Sequence, residues 1–504
     1  AADSYLGGVT TINNGGTLEF KLAVDDTLAA GALAGTGDFL KTGSATLTVT
    51  GDNSAFDGKT TISDGKILFI SDSDDDKYFS GTTEIAESKE LVYQTDIESD
   101  FSAILSGSGI LRKTGSETLN VTGAQDAFAG NVQIDAGKLL FGYNSAADSF
   151  FGGTTTVNNG GELEYNASID GNLDSDIVGT GTFSKTGAGT TSLLGQNDGF
   201  TGVVNVKEGV LAFSEETNKS FFGSNEINVG AQANNTAKLD YTFNYDNEFA
   251  KNVNLTGNGT FLNNAANGSV VTISGNVAMS GENNLLLYSG GTFVFNNSFS
   301  SLDTTGTNNI LSFDGTTAKM PAGLTTFGNS SLNAQLNNSV LDMTNFDSSL
   351  AGQDFTGEMI FNNLEIKGNS GIKVDLDLKN NPDQAHPTTP DPESDRLVVG
   401  AGSTGEIELT SAGVVVDGLW ANKEIQIITG AGAGAGGVTI KDFGSYLSAT
   451  SNDYIYGLQL NGTKTGVLIS TLDYNNPESL KVLHNGTYQG TQYENRVFTF
   501  SNQG

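Results

Sequence analysis

Along the first half of the chain, apolar and polar residues alternate over runs of four to six positions. Leu18 and Phe20 flank Glu19, Leu47 and Val49 flank Thr48, and Ile67 and Phe69 bracket Leu68. A period of two belongs to a β-strand with one buried face, because successive side chains point to opposite sides. Gly, Asn, Asp and Ser separate the runs, and these residues turn the backbone at low energetic cost. The pattern predicts many short strands, each with one inward face, and no long helices.

The strands recur as a unit. Gly35 to Phe69, GTGDFLKTGSATLTVTGDNSAFDGKTTISDGKILF, returns at Gly107 to Phe141 and again at Gly179 to Phe213, both steps being 72 residues without an insertion. A second unit lies between these copies: SYLGGVTTINNGGTLEF from Ser4, KYFSGTTEIAESKELVY from Lys77, SFFGGTTTVNNGGELEY from Ser149 and a drifted SFFGSNEINV from Ser220. Ala1-Ala2-Asp3-Ser4 matches Ala146-Ala147-Asp148-Ser149, so the chain begins in phase, and further rungs are expected upstream.

Self-similarity at a fixed period is the signature of a solenoid. Because 72 divides into three turns of 24, the expected fold is all-β. It is a right-handed parallel β-helix, a three-sided solenoid of about 24 residues per rung with a C-terminal β cap. Rungs stacked at a strand spacing of ~4.8 Å place equivalent side chains above one another in apolar columns, and about 20 rungs make a rod on the order of 100 Å long. Corners need residues that reach left-handed backbone angles, a role suited to Gly15-Gly16, Gly160-Gly161 and Asn13-Asn14.

The regular array is expected over residues 1–256. Gly257-Asn258-Gly259-Thr260-Phe261 opens one more copy, but the spacing then drifts, and 257–380 reads as irregular rungs with variable loops. Four of the six prolines, Pro382, Pro387, Pro390 and Pro392, mark 381–394 as a loop or hinge. Residues 395–474 read as further rungs and a cap, and 475–504 carry no assignment.

The unit GxGxLxKTGxxTLxVTGxxxxFxGxxxIxxGxLxF resembles the passenger-associated repeat of bacterial autotransporters, the type V secreted proteins. Lys41-Thr42-Gly43 and Phe56 recur at Lys113-Thr114-Gly115 and Phe128, and at Lys185-Thr186-Gly187 and Phe200. The third copy departs at Thr191, where the pattern has leucine, and its rung is expected to be weaker. Ser394 to Gly400, Ile425 to Thr429 and Tyr454 to Leu458 resemble the C-terminal part of pertactin-like passengers. The resemblance implies a region that caps the helix and seeds its folding during passage through the outer membrane, followed by a membrane β-barrel. About 30 residues after Tyr474 are too few for even the smallest barrel, so any barrel or anchor is expected outside this chain.

Composition narrows the function. With 58 acidic and 24 basic side chains the formal charge is −34, which disfavours nucleic acid and anionic lipid as partners. There is no cysteine, and no stretch approaches 18 apolar residues. The chemistry-bearing residues are sparse. Asp72, Asp74, Asp75 and Asp76 form an acidic run that is a candidate calcium loop and equally a solvated charge run. His386 and His484 stand apart from any second ligand, and no cofactor is expected. The in-phase Lys41, Lys113 and Lys185 read as solvated corner residues rather than a basic stripe, and Trp420 reads as core of the cap. Phe150-Phe151 and Phe221-Phe222 read as packed under a loop. The glycine-alanine run from Gly430 to Gly437 reads as a turn, since no Lys-Ser/Thr follows it.

The expected protein is therefore not an enzyme. It reads as a surface-displayed or secreted passenger of the Gram-negative outer membrane acting as stalk or adhesin. Expected partners are a host-cell, matrix or glycan receptor and other copies of itself. The alternatives are a carbohydrate-active β-helix enzyme and a self-assembling surface filament.

Overall fold

The computed structural model describes residues 8–498 apart from 75–77, 102, 147, 215–222, 224–225, 231–235, 297–298, 300–306, 322–323, 345–356, 378–393, 416–422, 444–446, 451–454, 471–481 and 489–490. At 377, 411–415, 423, 447–450, 455–459, 468–470, 482–488 and 491–498 the backbone alone is described. The described elements are all strands, and the fold is a parallel β-solenoid. The chain forms two compact units, residues 1–242 with 251–261, and residues 243–250 with 262–504.

The first unit has three faces, each a stack of parallel strands. One runs from Thr17–Lys21 through Asp38–Thr42, Lys59–Ile62 and Thr82–Ile85 to Ile104–Gly107. The second runs from Asp26–Leu28 to Ile177–Gly179, and the third carries Ser99–Phe101 and its successors to Asn252–Leu255. Inward positions stack in register as the sequence predicts. Leu47, Ile67, Leu91, Leu111 and Val132 follow one another on successive rungs, each 1% exposed or less. Each buried aliphatic side chain of this kind contributes about 2 kcal/mol. The neighbouring column, Val49, Phe69, Tyr93, Lys113 and Ile134, contains two stacked rings, Phe69 and Tyr93, with centroids 5.0 Å apart.

The rung is shorter than the division of 72 by three suggests. Asp38 pairs with Lys59, Thr60 with Thr83, and Thr82 with Ile104, so three full turns return the chain to the starting face at Ile104–Gly107. The second copy of Asp38–Thr42 is the following strand, Ile110–Thr114, which lies on the next face, and the third copy, Thr182–Thr186, lies on the remaining one. One sequence repeat thus takes about three and a third turns, and equivalent residues of successive copies are rotated by one face rather than stacked.

The short segment containing Phe56, Phe128 or Phe200 fills a face with a single bridge, to Gly35, Gly107 and Gly179 respectively. These glycines have left-handed φ of 99°, 96° and 112°, and a Cβ on Gly35 would overlap the carbonyl of Ile12 one rung away, so no other residue fits. Tyr78 and Phe79, and their counterparts Phe150 and Phe151, are buried, the former two against Phe69 and the latter two against Phe141. That agrees with packing under a loop. Phe221 and Phe222 lie outside the described residues.

The second unit continues the parallel pattern with longer steps. Leu285 pairs with Ile310, Thr326 with Glu358 and Glu358 with Arg396, the last across the proline-rich stretch, which lies outside the described residues with His386. Parallel pairing then gives way to antiparallel. Lys423–Gln426 and Ile455–Leu460 flank Gly466–Ser470, and Leu447–Thr450 pairs with Ile455–Leu460. Val482–Tyr488 and Thr491–Phe498 form an antiparallel hairpin, with His484 in its backbone. Trp420 lies outside the described residues.

Thr191 occupies the inward position held by Leu47 and Leu119 in the other copies. It is fully buried between Gly171 and Leu211, and its hydroxyl has no hydrogen-bond partner among the described residues. Replacing it with the isosteric valine removes an unpaired polar atom. Thr191→Val is expected to stabilise the first unit by about 1–2 kcal/mol in urea unfolding, and an unchanged or lower midpoint would contradict this account.

Candidate functional site: buried charges inside the coil

The charged side chains that the sequence placed in solvent are inside. Lys41, Lys113 and Lys185 are each 0% exposed, so their reading as solvated corner residues is overturned. The cause lies in the corner that follows each of them. Lys41 Nζ donates to the carbonyls of Thr42 (3.1 Å), Gly43 (2.7 Å) and, one rung on, Asp64 (3.1 Å). Lys113 reaches Thr114, Gly115 and Ala136 at 2.8, 3.0 and 3.1 Å, and Lys185 reaches Thr186, Gly187 and Glu208 at 2.7, 2.6 and 3.1 Å. An ammonium has three donors, and all three are used.

Gly43, Gly115 and Gly187 turn with φ of 76°, 79° and 74°, which brings their carbonyls towards the ammonium. The glycine of each Lys-Thr-Gly thus shapes the corner, and the lysine satisfies it while tying it to the next rung. Burial pushes the three amines below the ordinary lysine range, Lys113 and Lys185 to about 8, against the opposing pull of nearby carboxylates such as Asp64, Asp96 and Glu208.

A second set of buried polar groups escaped the sequence reading. Asn53, Gln125 and Asn197 stand 72 residues apart and are 1% exposed or less. Gln125 Nε2 donates to the carbonyls of Ala103 and Thr122, while its Oε1 accepts the Leu105 N–H at 3.0 Å. Asn197 accepts the Ile177 N–H at 2.8 Å. Their spacing was the available signal.

In the second unit Asp395, from the Ser394-Asp395-Arg396-Leu397 run, is fully buried. Its two carboxyl oxygens accept the N–H groups of Gly357 (2.6 Å) and Asp375 (2.5 Å). Burial raises its pKa to about 8, assisted by the neighbouring carboxylates of Asp375 and Asp342 and opposed by the two N–H donors. Lys373 Nζ lies 3.2 Å from Asp342.

Asp72 and Asp74 are exposed, and Asp75 and Asp76 lie outside the described residues. Among the described residues no three acidic or histidine side chains gather closely enough to hold a metal ion. An open cleft of about 740 Å³ in the first unit is lined by Asp126, Asp148, Asp170, Asp174 and Tyr143. Three of these carboxylates hold local structure. Asp148 accepts the N–H groups of Asn144 and Ser145, Asp126 accepts the Ser149 hydroxyl, and the Thr190 N–H holds Asp170 below the usual carboxylate range. The glycine-alanine run is a hydrogen-bonded turn, in which Gly434 donates to Val438 and Gly437 to Gly434.

The corners that carry the caged lysines fall within the segments matched by a family profile described as the passenger-associated-transport-repeat, residues 39–68, 111–141 and 183–213. Its repeats are those of an autotransporter passenger. This passenger-type chain is 27% identical over 271 residues to the probable autotransporter YfaL of Escherichia coli strain K12, covering 49% of this chain and 21% of that protein. It is 25% identical over 210 residues to the uncharacterized lipoprotein YdeK of the same organism, covering 42% of this chain and 14% of that one. The matches therefore span about a fifth or less of these relatives. A crystal structure of the Haemophilus influenzae Hap adhesin aligns with 92% of this chain and 59% of that one, at 12% identity and a TM-score of 0.35.

Two outcomes follow from the buried charges. Lys113→Met keeps the length and apolar stem but leaves three carbonyls without their donor, and it is expected to cost about 2–4 kcal/mol in urea unfolding. A cost near zero would mean that the cage carries no stability. Asp395 has a folded pKa near 8 against an ordinary value of 3.8, so between those values the folded unit keeps a proton that the unfolded chain releases. Its contribution is fully present below the lower value and is lost as pH rises through the upper one. Amide-exchange protection at Leu397 and Ile372 is expected to fall from about pH 5 to about pH 9, and Asp395→Asn to flatten that slope.

Proposed function

We propose that this chain is presented at the surface of a Gram-negative bacterium as the stalk or adhesive part of a passenger, and that its C-terminal rungs seed the folding of the rest. The observation that carries this reading is the change from in-register parallel stacking to antiparallel strands between Lys423 and Ser470. A parallel rung offers the same unpaired strand edge on both sides and adds to a neighbour without limit. An antiparallel group pairs locally and forms without waiting for distant segments, which suits a nucleus.

Rungs then add one at a time, each gaining buried apolar area and, in the repeated part, a lysine cage that closes only when the adjoining rung is in place. Absence of cysteine fits passage through the outer membrane as an unfolded chain. The outward positions of such a coil are a regular polar surface for a receptor or for another copy, and the reading asks for no catalytic step.

Deletion of Asp395 to Asp473 is expected to abolish the protease-resistant β-sheet core of the whole chain. A deletion product with the full circular-dichroism signal and protease resistance of the parent would refute the seeding role. Turnover of uronate or neutral glycans by the purified chain would favour a carbohydrate-active enzyme instead.

A further inference from the structure

The fourth start of the repeat aligns Gly257-Asn258-Gly259-Thr260-Phe261 with Gly179-Thr180-Gly181-Thr182-Phe183. Two residues on, where the third copy has the caged Lys185, the fourth has Asn263. Asn263 is on the strand Gly259–Ile273, points inward and is 0% exposed. Among the described residues, neither its Oδ1 nor its Nδ2 has a hydrogen-bond partner.

The strand Leu285–Phe295 lies on the next rung of the same unit. Gly290 abuts the Ala265 carbonyl there just as Gly43 abuts that of Leu22, which sets Tyr288 level with Asn263, two residues before each. Tyr288 is also 0% exposed, and its ring packs on Phe293, Phe295 and Phe313. Its hydroxyl likewise has no partner among the described residues, and burial keeps it protonated.

Two inward side chains on adjoining rungs therefore carry an acceptor, an amide donor and a hydroxyl, none of them paired among the described residues, and one of the two stands where the earlier copies have the caged lysine. Each unpaired group of this kind costs about 1–3 kcal/mol, so two side by side call for a shared partner. An extended asparagine is two bonds shorter than lysine, roughly 2.5 Å, which is about the diameter of one water molecule. We propose that Asn263 and Tyr288 form an internal site for a single small neutral hydrogen-bonding ligand, a water molecule, which bridges the two side chains across adjoining rungs.

The alternative is that both groups are merely buried and unpaired, and the two cases differ in sign. Tyr288→Phe, Asn263→Leu and the double variant, each in the full chain, are compared by amide exchange on the strands Gly259–Ile273 and Leu285–Phe295. With a bridging water, each single variant strands a bound water or its remaining partner, so protection falls by roughly tenfold, and the double variant loses less than the two singles combined. If protection rises in Tyr288→Phe and the two changes add independently, the groups have no common ligand and the proposal is wrong. A crystal structure provides the second readout. One ordered water within about 3.2 Å of both side chains supports the site, and a direct Asn263–Tyr288 hydrogen bond overturns it.

Discussion

A coil of three short strands turns three times per rung, and at some of these turns backbone carbonyls face the interior. A buried carbonyl without a donor carries a desolvation penalty, so such a corner has to supply one. The first unit does so with a lysine that folds back over its own turn and reaches one carbonyl of the next, and with an inward asparagine or glutamine at Asn53, Gln125 and Asn197. The second unit uses smaller groups in ladders. Asn284 Nδ2 donates to Asn309 Oδ1, the hydroxyl of Ser339 accepts the Thr316 N–H, and that of Ser370 accepts the Ser339 N–H. Rung-to-rung register follows from these contacts as much as from the apolar columns, because a polar plug fits only one position while leucine and isoleucine interchange.

The fold was readable because a strand with one wet face writes its period into the sequence. The inward columns were legible for the same reason, from Leu47 to Val132. The number of turns per repeat was not, because a sequence period counts residues and is silent about how many corners they turn. Nor was the fate of Lys41, Lys113 and Lys185. A charged side chain recurring beside glycine ordinarily means a solvated loop, and what reverses that reading is a cluster of carbonyls contributed by two rungs, which no single residue displays. Asp395 was visible only as part of a run, because its environment is assembled from Gly357, Asp375 and Asp342, up to 53 residues away in the chain.

Among the described residues most carboxylates lie on the outer faces, where they are partly organised. Arg112 joins Glu90 on one neighbouring rung to Asp135 on the other, and Lys138 joins Glu162 and Glu164. Exposed pairs of this kind are worth ~1 kcal/mol or less each, so they tune the surface more than they hold the coil. With 24 basic groups for 58 acidic ones, most carboxylates cannot be paired in this way. Asp148 and Asp170 show one other use, accepting the N–H groups of turns between strands.

The third of a turn left over by each repeat decides how like features are distributed over the first unit. Phe79 follows Phe56 on the face that Phe56 shares with Gly35, whereas its counterpart Phe151 follows Phe128 on the face shared with Gly107. The aromatic residue therefore lies on a different face of the coil in these two copies. Equivalent residues of successive copies are thus rotated by a face and set about three rungs apart. A single flat stripe of identical sites, the arrangement that would follow from a whole number of turns, does not arise. Repetition in the sequence thus spreads like features around the coil of the first unit instead of aligning them along one face.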